Sequence, residues 1–379
     1  MTAADVGPLD LLVIQPTPFC NINCSYCYLP DRQNTAKMSL PLLEQAFDWV
    51  FASGLVRQPF TLLWHAGEPL VMPPAFYDSA AELLKKHDPD GTLITQSFQT
   101  NGTLLNAEWC ELIRRHRIHV GVSVDGPDYL HDSRRRTRSG AGTLDRVLNG
   151  IRCLHEHDIP VQVITVLTAE SLAYPDELFD FYCEHGIREV AFNVEEIEGP
   201  HTSSSLLGCD VKERFRRFLS RFLDLALTHD PPLVVREFEL AAGSIHAKRL
   251  SPGNRVQESQ PFAILNVACD GSFSTYSPEL LGVSSSRHGN FALGNITTDT
   301  LESVLTSPRF LALEAEIARG IEMCHEKCRY FGFCGGGPPG NKFFENGTFA
   351  STETLFCRLH KQVCLDVTLD KLEHRKSLT

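Results

Sequence analysis

The sequence lacks any uninterrupted apolar run near the about 18 residues that a membrane-spanning helix needs. Its first residues, MTAADVGPLD, have neither the basic stretch nor the apolar segment of a secretory signal. Basic residues are not in excess either, because 35 Lys and Arg stand against 47 Asp and Glu, a net charge of −12. These absences argue against a membrane protein and a nucleic-acid-binding protein, and they predict a cytoplasmic location.

The chain is too long, at 379 residues, for one typical domain, and its composition is that of an ordinary globular protein. Its 13 cysteines are not expected to form disulfides, because the cytosol keeps thiols reduced. Metal binding or redox chemistry is the better expectation. Two groups of cysteines are closely spaced, and four others are isolated and predicted to be small buried apolar residues: Cys110, Cys153, Cys183 and Cys209.

Between residue 10 and about residue 230, β-rich runs alternate with helical segments, which is typical of a parallel sheet built from βα units. The predicted helices include residues 40–51, 76–86, 176–185 and 211–227. The six predicted strands are residues 9–15, 60–64, 93–99, 118–124, 161–167 and 189–194. The sequence therefore predicts an α/β fold with a partial (β/α)6 TIM-type barrel, whose working residues follow the carboxyl ends of the strands.

After residue 230 the alternation stops, and turn-rich sequence leads to a segment rich in cysteine, glycine and proline. This change predicts a second, smaller domain. We place the barrel at residues 1–235, a bridging region at 236–310 and the cysteine-rich domain at 311–379.

The first cysteine group, PFCNINCSYCYLP, has the spacing C-x3-C-x2-C at Cys20, Cys24 and Cys27. Three thiolates can hold three irons of a [4Fe-4S] cluster and leave the fourth iron open. A structural zinc site is the alternative, but it needs four ligands, and no histidine occurs in residues 1–40.

This motif resembles that of the radical S-adenosylmethionine (SAM) superfamily, and the resemblance covers roughly residues 10–200. It implies a bound S-adenosylmethionine, reductive formation of a 5′-deoxyadenosyl radical, and an electron donor such as flavodoxin or ferredoxin. Further family-like segments follow later strands: AGEP at 66–69, QTNG at 99–102, SVDG at 123–126 and HDSRR at 131–135. Each alone is ordinary turn chemistry. Together they imply that the cofactor-binding residues are Tyr26, Ala66, Gly67, Glu68, Gln99, Asn101, Ser123, Asp125 and Arg135, with Arg135 on the methionyl carboxylate.

The second cysteine group resembles the SPASM extension of peptide-modifying radical enzymes. Tyr276 and Pro338 stand where the extension has cysteines of its first auxiliary cluster. The resemblance therefore implies a SPASM-like C-terminal domain with one auxiliary [4Fe-4S] cluster, for a total of two clusters. Structural zinc is again the alternative, and Cys364 and His325 are spare candidate ligands. The implied cluster ligands are Cys324, Cys328, Cys334 and Cys357.

The segments LDLLVIQPTPFCNINCSYCYLPDR, FNVEEIEG and DGSFSTYSPELLG resemble the GrrM-like maturases that form cyclophanes in glycine-rich repeat peptides. This resemblance implies a precursor-peptide substrate and a cross-link between an aromatic ring carbon and a Cβ. Glu195 and Glu196, after the sixth predicted strand, are candidates for the base. Oxidation of Cys or Ser to formylglycine is the alternative. It is weakened because Ser277 stands where sulfatase maturases have an Asp that serves as the catalytic base. A third alternative is an iron–sulfur binding or electron-transfer protein without catalytic activity.

Overall fold

The computed structural model describes residues 1–246 and 255–376. The longer strands are β1 (Leu11–Ile14), β3 (Phe60–Trp64), β4 (Ile94–Thr100), β5 (His119–Ser123), β7 (Val161–Leu167), β8 (Glu189–Val194), β10 (Ile264–Val267) and β11 (Ser272–Thr275). The short ones are β2 (Ile22–Cys24), β6 (Arg135–Thr137), β9 (Val234–Val235), β12 (Ser284–Ser285), β13 (Gly289–Asn290) and β14 (Gly294–Asn295).

The helices before residue 250 are α1 (Leu40–Ala52), α2 (Pro74–Lys85), α3 (Ala107–His116), α4 (Asp128–Arg134), α5 (Leu144–Glu156), α6 (Pro175–Glu184), α7 (Val211–Thr228) and α8 (Arg236–His246). Those that follow are α9 (Leu301–Leu305), α10 (Pro308–Lys327), α11 (Phe331–Cys334), α12 (Pro339–Asn346) and α13 (Cys364–Lys376), with a π-helical stretch at Cys357–Val363. In the ranges described, no helix has both the length and the apolar character to cross a membrane.

One ten-stranded sheet forms the centre of the molecule, in the order β14-β11-β10-β1-β3-β4-β5-β7-β8-β9. The eight strands from β10 to β9 are parallel to their neighbours, and β11 and β14 pair antiparallel at one edge. The six predicted strands are β1, β3, β4, β5, β7 and β8, and they lie side by side in chain order. The predicted α/β fold class is confirmed.

The helices form because apolar residues recur along one face. Helix α1 begins after Ser39, whose side-chain oxygen accepts the N–H of Leu42 at 3.3 Å. The residues that α1 buries are spaced by three or four positions, as a helix packed on a sheet requires: Leu43, Ala46, Phe47 and Val50. Helix α7 buries a similar face through Phe215, Phe218, Leu219 and Phe222.

The sheet extends further than the alternating pattern indicated. Strand β10 lies parallel to β1, with Leu11 opposite Ile264, and then turns back through Gly271 into β11. The prediction that the alternation ends near residue 230 missed this hairpin because no helix separates its strands. An apolar run ending at Val267, followed by the Asp270-Gly271 turn, is the signal that could have revealed it.

The C-terminal helix ties the cysteine-rich region to the outer helices of the sheet. Helix α13 packs against α7 and α8. Arg216 of α7 pairs with Asp366 at 3.2 Å and with Asp370 at 2.7 Å, and Lys371 pairs with Asp224 at 2.7 Å. These partly exposed ion pairs contribute little stability each, so the apolar contacts between the helices do most of the docking.

Candidate functional site

A short antiparallel ribbon holds the first cysteine loop in place. Strand β2 pairs with β6, and the register sets Cys24 opposite Arg135. The Nη1 of Arg135 lies 3.9 Å from the Cys24 Sγ. On the other side, the Nδ2 of Asn101 lies 3.7 Å from the Cys20 Sγ. Two N–H donors therefore face the sulfurs of this loop, an arrangement that favours negatively charged sulfur.

A buried ion pair lies behind the loop. Arg135 donates from Nε and Nη2 to the two carboxylate oxygens of Asp125, at 2.9 and 3.2 Å. The Tyr26 hydroxyl also donates to Asp125, and the guanidinium lies 5.4 Å from the centre of the Tyr26 ring. Although burial alone would raise it, the pKa of Asp125 is lowered, because Arg135 is so close. The pair is thus charged, and Arg135 is fixed against the loop.

His131 supports this ion pair without carrying a charge. Its Nδ1 accepts the N–H of Asp125 at 3.2 Å, so its Nε2 donates to the Thr143 hydroxyl at 3.0 Å. Thr143 in turn donates to the carbonyl of Arg135 at 2.8 Å. Burial lowers the pKa of His131 to about 4, which keeps the ring neutral near pH 7. The chain of bonds fixes both ends of the segment between Asp125 and Arg135.

The turn after β3 brings backbone close to the cysteine loop. Ala66 and Gly67 have φ values of 64° and 103°. A Cβ at Gly67 would lie 2.2 Å from the carbonyl oxygen of Thr17, so only glycine fits. The carboxylate of the next residue, Glu68, accepts from the Leu70 N–H at 3.0 Å and from the Thr100 hydroxyl at 2.6 Å.

Glu68 is a structural bridge between two strand ends. Its second oxygen accepts the N–H of Asn101 at 2.8 Å, which joins the end of β3 to the end of β4. Burial raises the pKa of Glu68 to about 7, although all three hydrogen bonds oppose the rise. Beside it, Gln99 donates to the Ser123 hydroxyl at 3.0 Å, linking β4 to β5. Hydrogen bonds between predicted residues thus link β3 to β4 and β4 to β5 at their carboxyl ends.

Each cysteine group lines a cavity. The first cavity, of about 230 Å³, lies at the carboxyl ends of the strands, and the second has a volume of about 180 Å³. Six of the residues predicted to bind S-adenosylmethionine or the first cluster lie outside the lining of the first cavity: Cys20, Ala66, Gly67, Glu68, Asn101 and Asp125. Those that line it are Cys24, Tyr26, Cys27, Gln99, Ser123 and Arg135. Both candidate bases, Glu195 and Glu196, also line it.

The two candidate bases differ in how their carboxylates are used. Glu195 is buried, and its Oε2 accepts from the backbone N–H of Ser205 at 2.7 Å and from the hydroxyl of the same residue. Its Oε1 lies 3.6 Å from the Nε2 of His201. Glu196 instead accepts from the Asn341 side chain, and burial raises its pKa.

Two further carboxylates of this cavity were missed from the sequence. Glu198 and Glu279 line it together with Glu196, and burial raises the pKa of each. Asn341 of α12 donates to Glu198 at 3.4 Å as well as to Glu196. The only signal for Glu198 was its place in the EEIE run, and nothing in the sequence indicated that Glu279 or Asn341 would meet it.

The four predicted C-terminal ligands surround the second cavity, of about 180 Å³. Cys324, Cys328, Cys334 and Cys357 all line it. Gln362 donates to the Cys357 Sγ at 3.5 Å, and burial raises the pKa of Cys324 while the nearby Lys342 ammonium opposes that rise. The sequence did not single out either of these residues.

The spare candidates lie away from this cavity. Cys364 is buried and its thiol donates to the Glu237 carbonyl at 3.5 Å, while His325 packs edge-on against Phe331. Zinc at about 2.3 Å from each thiolate would bring the sulfurs within about 3.8 Å of one another. In the described parts of the chain, no three of these four sulfurs lie within 4.8 Å of one another. The four sulfurs are therefore more widely spaced here than the ligands of a single zinc.

The four cysteines predicted to be isolated and buried differ in exposure. Cys110 is buried as expected, Cys153 and Cys183 are only partly buried, and Cys209 is exposed, so the prediction is wrong for Cys209. It sits between Gly208 and Asp210, which are also exposed, just before α7. Cys110 and Cys153 are not isolated from each other, because their sulfurs are 3.4 Å apart.

Comparison with known proteins agrees with this geometry. Residues 14–182 match the family model described as the radical SAM superfamily. The chain is 42% identical over 377 residues to the uncharacterized protein sll1766 of Synechocystis sp., covering 98% of this chain and 94% of that protein. It is 34% identical over 194 residues to the serine-type anaerobic sulfatase-maturating enzyme of Klebsiella aerogenes, 51% of this chain and 48% of that enzyme. The latter match spans about half of each protein.

Two solved structures share the fold over nearly the whole chain. Native anSMEcpe with bound AdoMet and Cp18Cys peptide has a TM-score of 0.77 at 19% identity, covering 98% of this chain and 100% of that one. Streptococcus suis SuiB bound to precursor peptide SuiA has a TM-score of 0.63 at 17% identity, covering 95% of this chain and 76% of that one. At these identities the likeness establishes the fold.

Proposed function

The chain belongs to the radical SAM superfamily of enzymes, and on that premise we propose that it joins an aromatic ring carbon to a Cβ in a ribosomally made precursor peptide. The division of labour is a radical-generating barrel at 1–235, a bridging region at 236–310 and an auxiliary-cluster domain at 311–379. The observation that carries the proposal is one cavity lined by two chemically different sets of residues. One set is the cysteine loop with Arg135, and the other is the carboxylates of Glu196, Glu198 and Glu279.

The residues fit the groups that this chemistry requires. Cys20, Cys24 and Cys27 would hold the radical cluster, with the N–H donors of Arg135 and Asn101 facing two of their sulfurs. Cys324, Cys328, Cys334 and Cys357 would hold the auxiliary cluster. When bound, the radical cluster and S-adenosylmethionine supply the 5′-deoxyadenosyl radical that removes a hydrogen atom from the peptide Cβ, and the auxiliary cluster supplies an electron acceptor.

The carbon radical adds to the aromatic ring of a neighbouring residue, and the joined ring must then lose one electron and one proton to become aromatic again. The protein's part is to hold the peptide beside the cysteine loop and to accept that proton. Glu196, Glu198 and Glu279 are suited to this because burial raises their pKa values, which makes each a stronger base than an exposed carboxylate. A donor such as flavodoxin or ferredoxin would supply the first electron.

Formylglycine formation is disfavoured by the surroundings of Tyr276 and Ser277. Sulfatase maturases have a cluster-binding cysteine and an Asp that serves as the base at these two positions. Here Tyr276 is fully buried and its hydroxyl donates to Glu314, while the Ser277 hydroxyl donates to Glu279. Neither position offers a cluster ligand or a carboxylate. A precursor peptide is also a known partner of this fold, since SuiB was solved bound to the precursor peptide SuiA.

The product's mass separates the two reactions. A cross-linked precursor peptide should lose two hydrogen atoms per modification, because one leaves each joined carbon. We expect this loss in tandem mass spectra of the peptide after incubation with reconstituted enzyme, dithionite and S-adenosylmethionine. A product whose mass indicates an aldehyde, and which reacts with a hydrazine, would contradict the cross-link and support formylglycine formation.

The base can be located by comparing four carboxylate variants. We expect Glu196→Gln, Glu198→Gln or Glu279→Gln, whichever removes the proton acceptor, to slow peptide cross-linking by about 100-fold while 5′-deoxyadenosine is still released. Glu195→Gln is the matched control, because that carboxylate is held by Ser205. Product and 5′-deoxyadenosine are quantified together by liquid chromatography. An unchanged ratio of cross-linked product to 5′-deoxyadenosine in the Glu196, Glu198 and Glu279 variants would exclude these three carboxylates as the base.

A further inference from the structure

A cluster of three metal-binding side chains lies outside both cavities. Cys110 is in α3, Cys153 is in the last turn of α5, and His157 follows that helix directly. One potential ligand atom from each residue lies within 4.8 Å of the other two. Among the described residues, this is the one group of three or more Cys, His, Asp or Glu side chains that meets that criterion. We propose that Cys110, Cys153 and His157 form a zinc(II) site.

The distances already approach those of a zinc centre. The two sulfurs are 3.4 Å apart, and tetrahedral zinc at about 2.3 Å from each would set them about 3.8 Å apart. The Nδ1 of His157 lies 4.0 Å from the Cys153 Sγ, where a sulfur and a nitrogen on one zinc would be about 3.5 Å apart. These two pairs differ from zinc geometry by about half an ångström, and the ligand atoms of the third pair, Cys110 and His157, lie within 4.8 Å of each other.

The chemistry of the three residues suits a soft divalent cation. Two thiolates and a neutral imidazole leave a zinc site without net charge, which Cys110 in the core requires. His157 Nδ1 now donates to the Cys153 carbonyl at 2.8 Å, and zinc would replace that proton. Cys153 and His157 are partly exposed, so the ion can enter from solvent. Water can supply the fourth ligand and leaves the site without net charge.

The site's position assigns it a structural role. It joins α3 to α5 on the outer layer of the barrel, so zinc would clamp two successive βα units together. None of its three residues lines either of the cysteine cavities. Radical chemistry is therefore independent of zinc here, and the failure of one proposal leaves the other intact.

Zinc retention by the full-length enzyme tests the proposal. The protein is reconstituted with iron and sulfide under anaerobic, thiol-reducing conditions, given one equivalent of zinc chloride and desalted, and its zinc and iron are measured by mass spectrometry. We expect about one zinc per chain in the wild type and in the control Cys183→Ala, with the iron content unchanged. Cys153→Ala and His157→Ala should each lose most of the zinc and keep their iron.

Zinc K-edge absorption adds a readout of the ligands. The wild-type spectrum should fit two sulfurs at about 2.3 Å and at least one nitrogen at about 2.0 Å. His157→Ala alters a partly exposed residue, so it should fold even if the Cys153 variant does not. Absence of retained zinc, equal zinc in all four proteins, or a disulfide between Cys110 and Cys153 in the reduced preparation would overturn the site.

Discussion

Replacing Cys20, Cys24 and Cys27 together with alanine should lower the release of 5′-deoxyadenosine by at least about 1000-fold, to the background of the assay. The reason is that these three thiolates are the proposed ligands of the reducing cluster, so without them no cluster would deliver an electron to the sulfonium of S-adenosylmethionine. The measurement is chromatographic quantification of 5′-deoxyadenosine from anaerobically reconstituted enzyme with dithionite and S-adenosylmethionine.

The matched control for the triple variant is Cys183→Ala combined with Cys209→Ala, which removes two cysteines that lie outside both cavities. The control should cleave S-adenosylmethionine at the wild-type rate. Cleavage at that rate by the triple variant would show that the radical cluster is held elsewhere.

The sheet was largely predictable because its strands are short β-rich runs, each with buried apolar residues, that alternate with helical segments. Strands β3 and β7 were predicted at their observed bounds, and α1 and α7 within one residue. Strands β2 and β6 were not predictable. Each is three residues long, and they pair only because the fold brings the cysteine loop against the segment after α4. Such short pairings depend on tertiary contacts and leave no periodic signal.

The candidate site divides in the same way. The cysteine motif and the strand-end segments are local, so their residues could be named from the sequence. The acidic side of the cavity is not local, since Glu198, Glu279 and Asn341 come from three distant segments. Cys110 and Cys153 likewise meet only because α3 and α5 are neighbours in the outer layer. Spacing along the chain carries no information about such encounters.

The number of iron–sulfur clusters per chain tests the assignment of the cluster ligands. Three cysteines in the first loop and four around the second cavity would support two [4Fe-4S] clusters, or about eight irons per chain. We expect that number from iron and sulfide analysis of the reconstituted wild type. A third cluster would need ligands near Tyr276 and Pro338, and Tyr276 is buried with its hydroxyl bonded to Glu314. About twelve irons would contradict the ligand assignment.

Replacing Cys324, Cys328, Cys334 and Cys357 with alanine should leave about four irons and abolish the cross-linked product, while S-adenosylmethionine is still cleaved without coupling to the peptide. Cys364→Ala is the control, because that buried thiol lies outside the second cavity and should keep about eight irons. Zinc in place of the second cluster would refute the assignment. Loss of product at full iron content would instead point to the carboxylate side, since Asn341 of the C-terminal region bonds Glu196 and Glu198 directly.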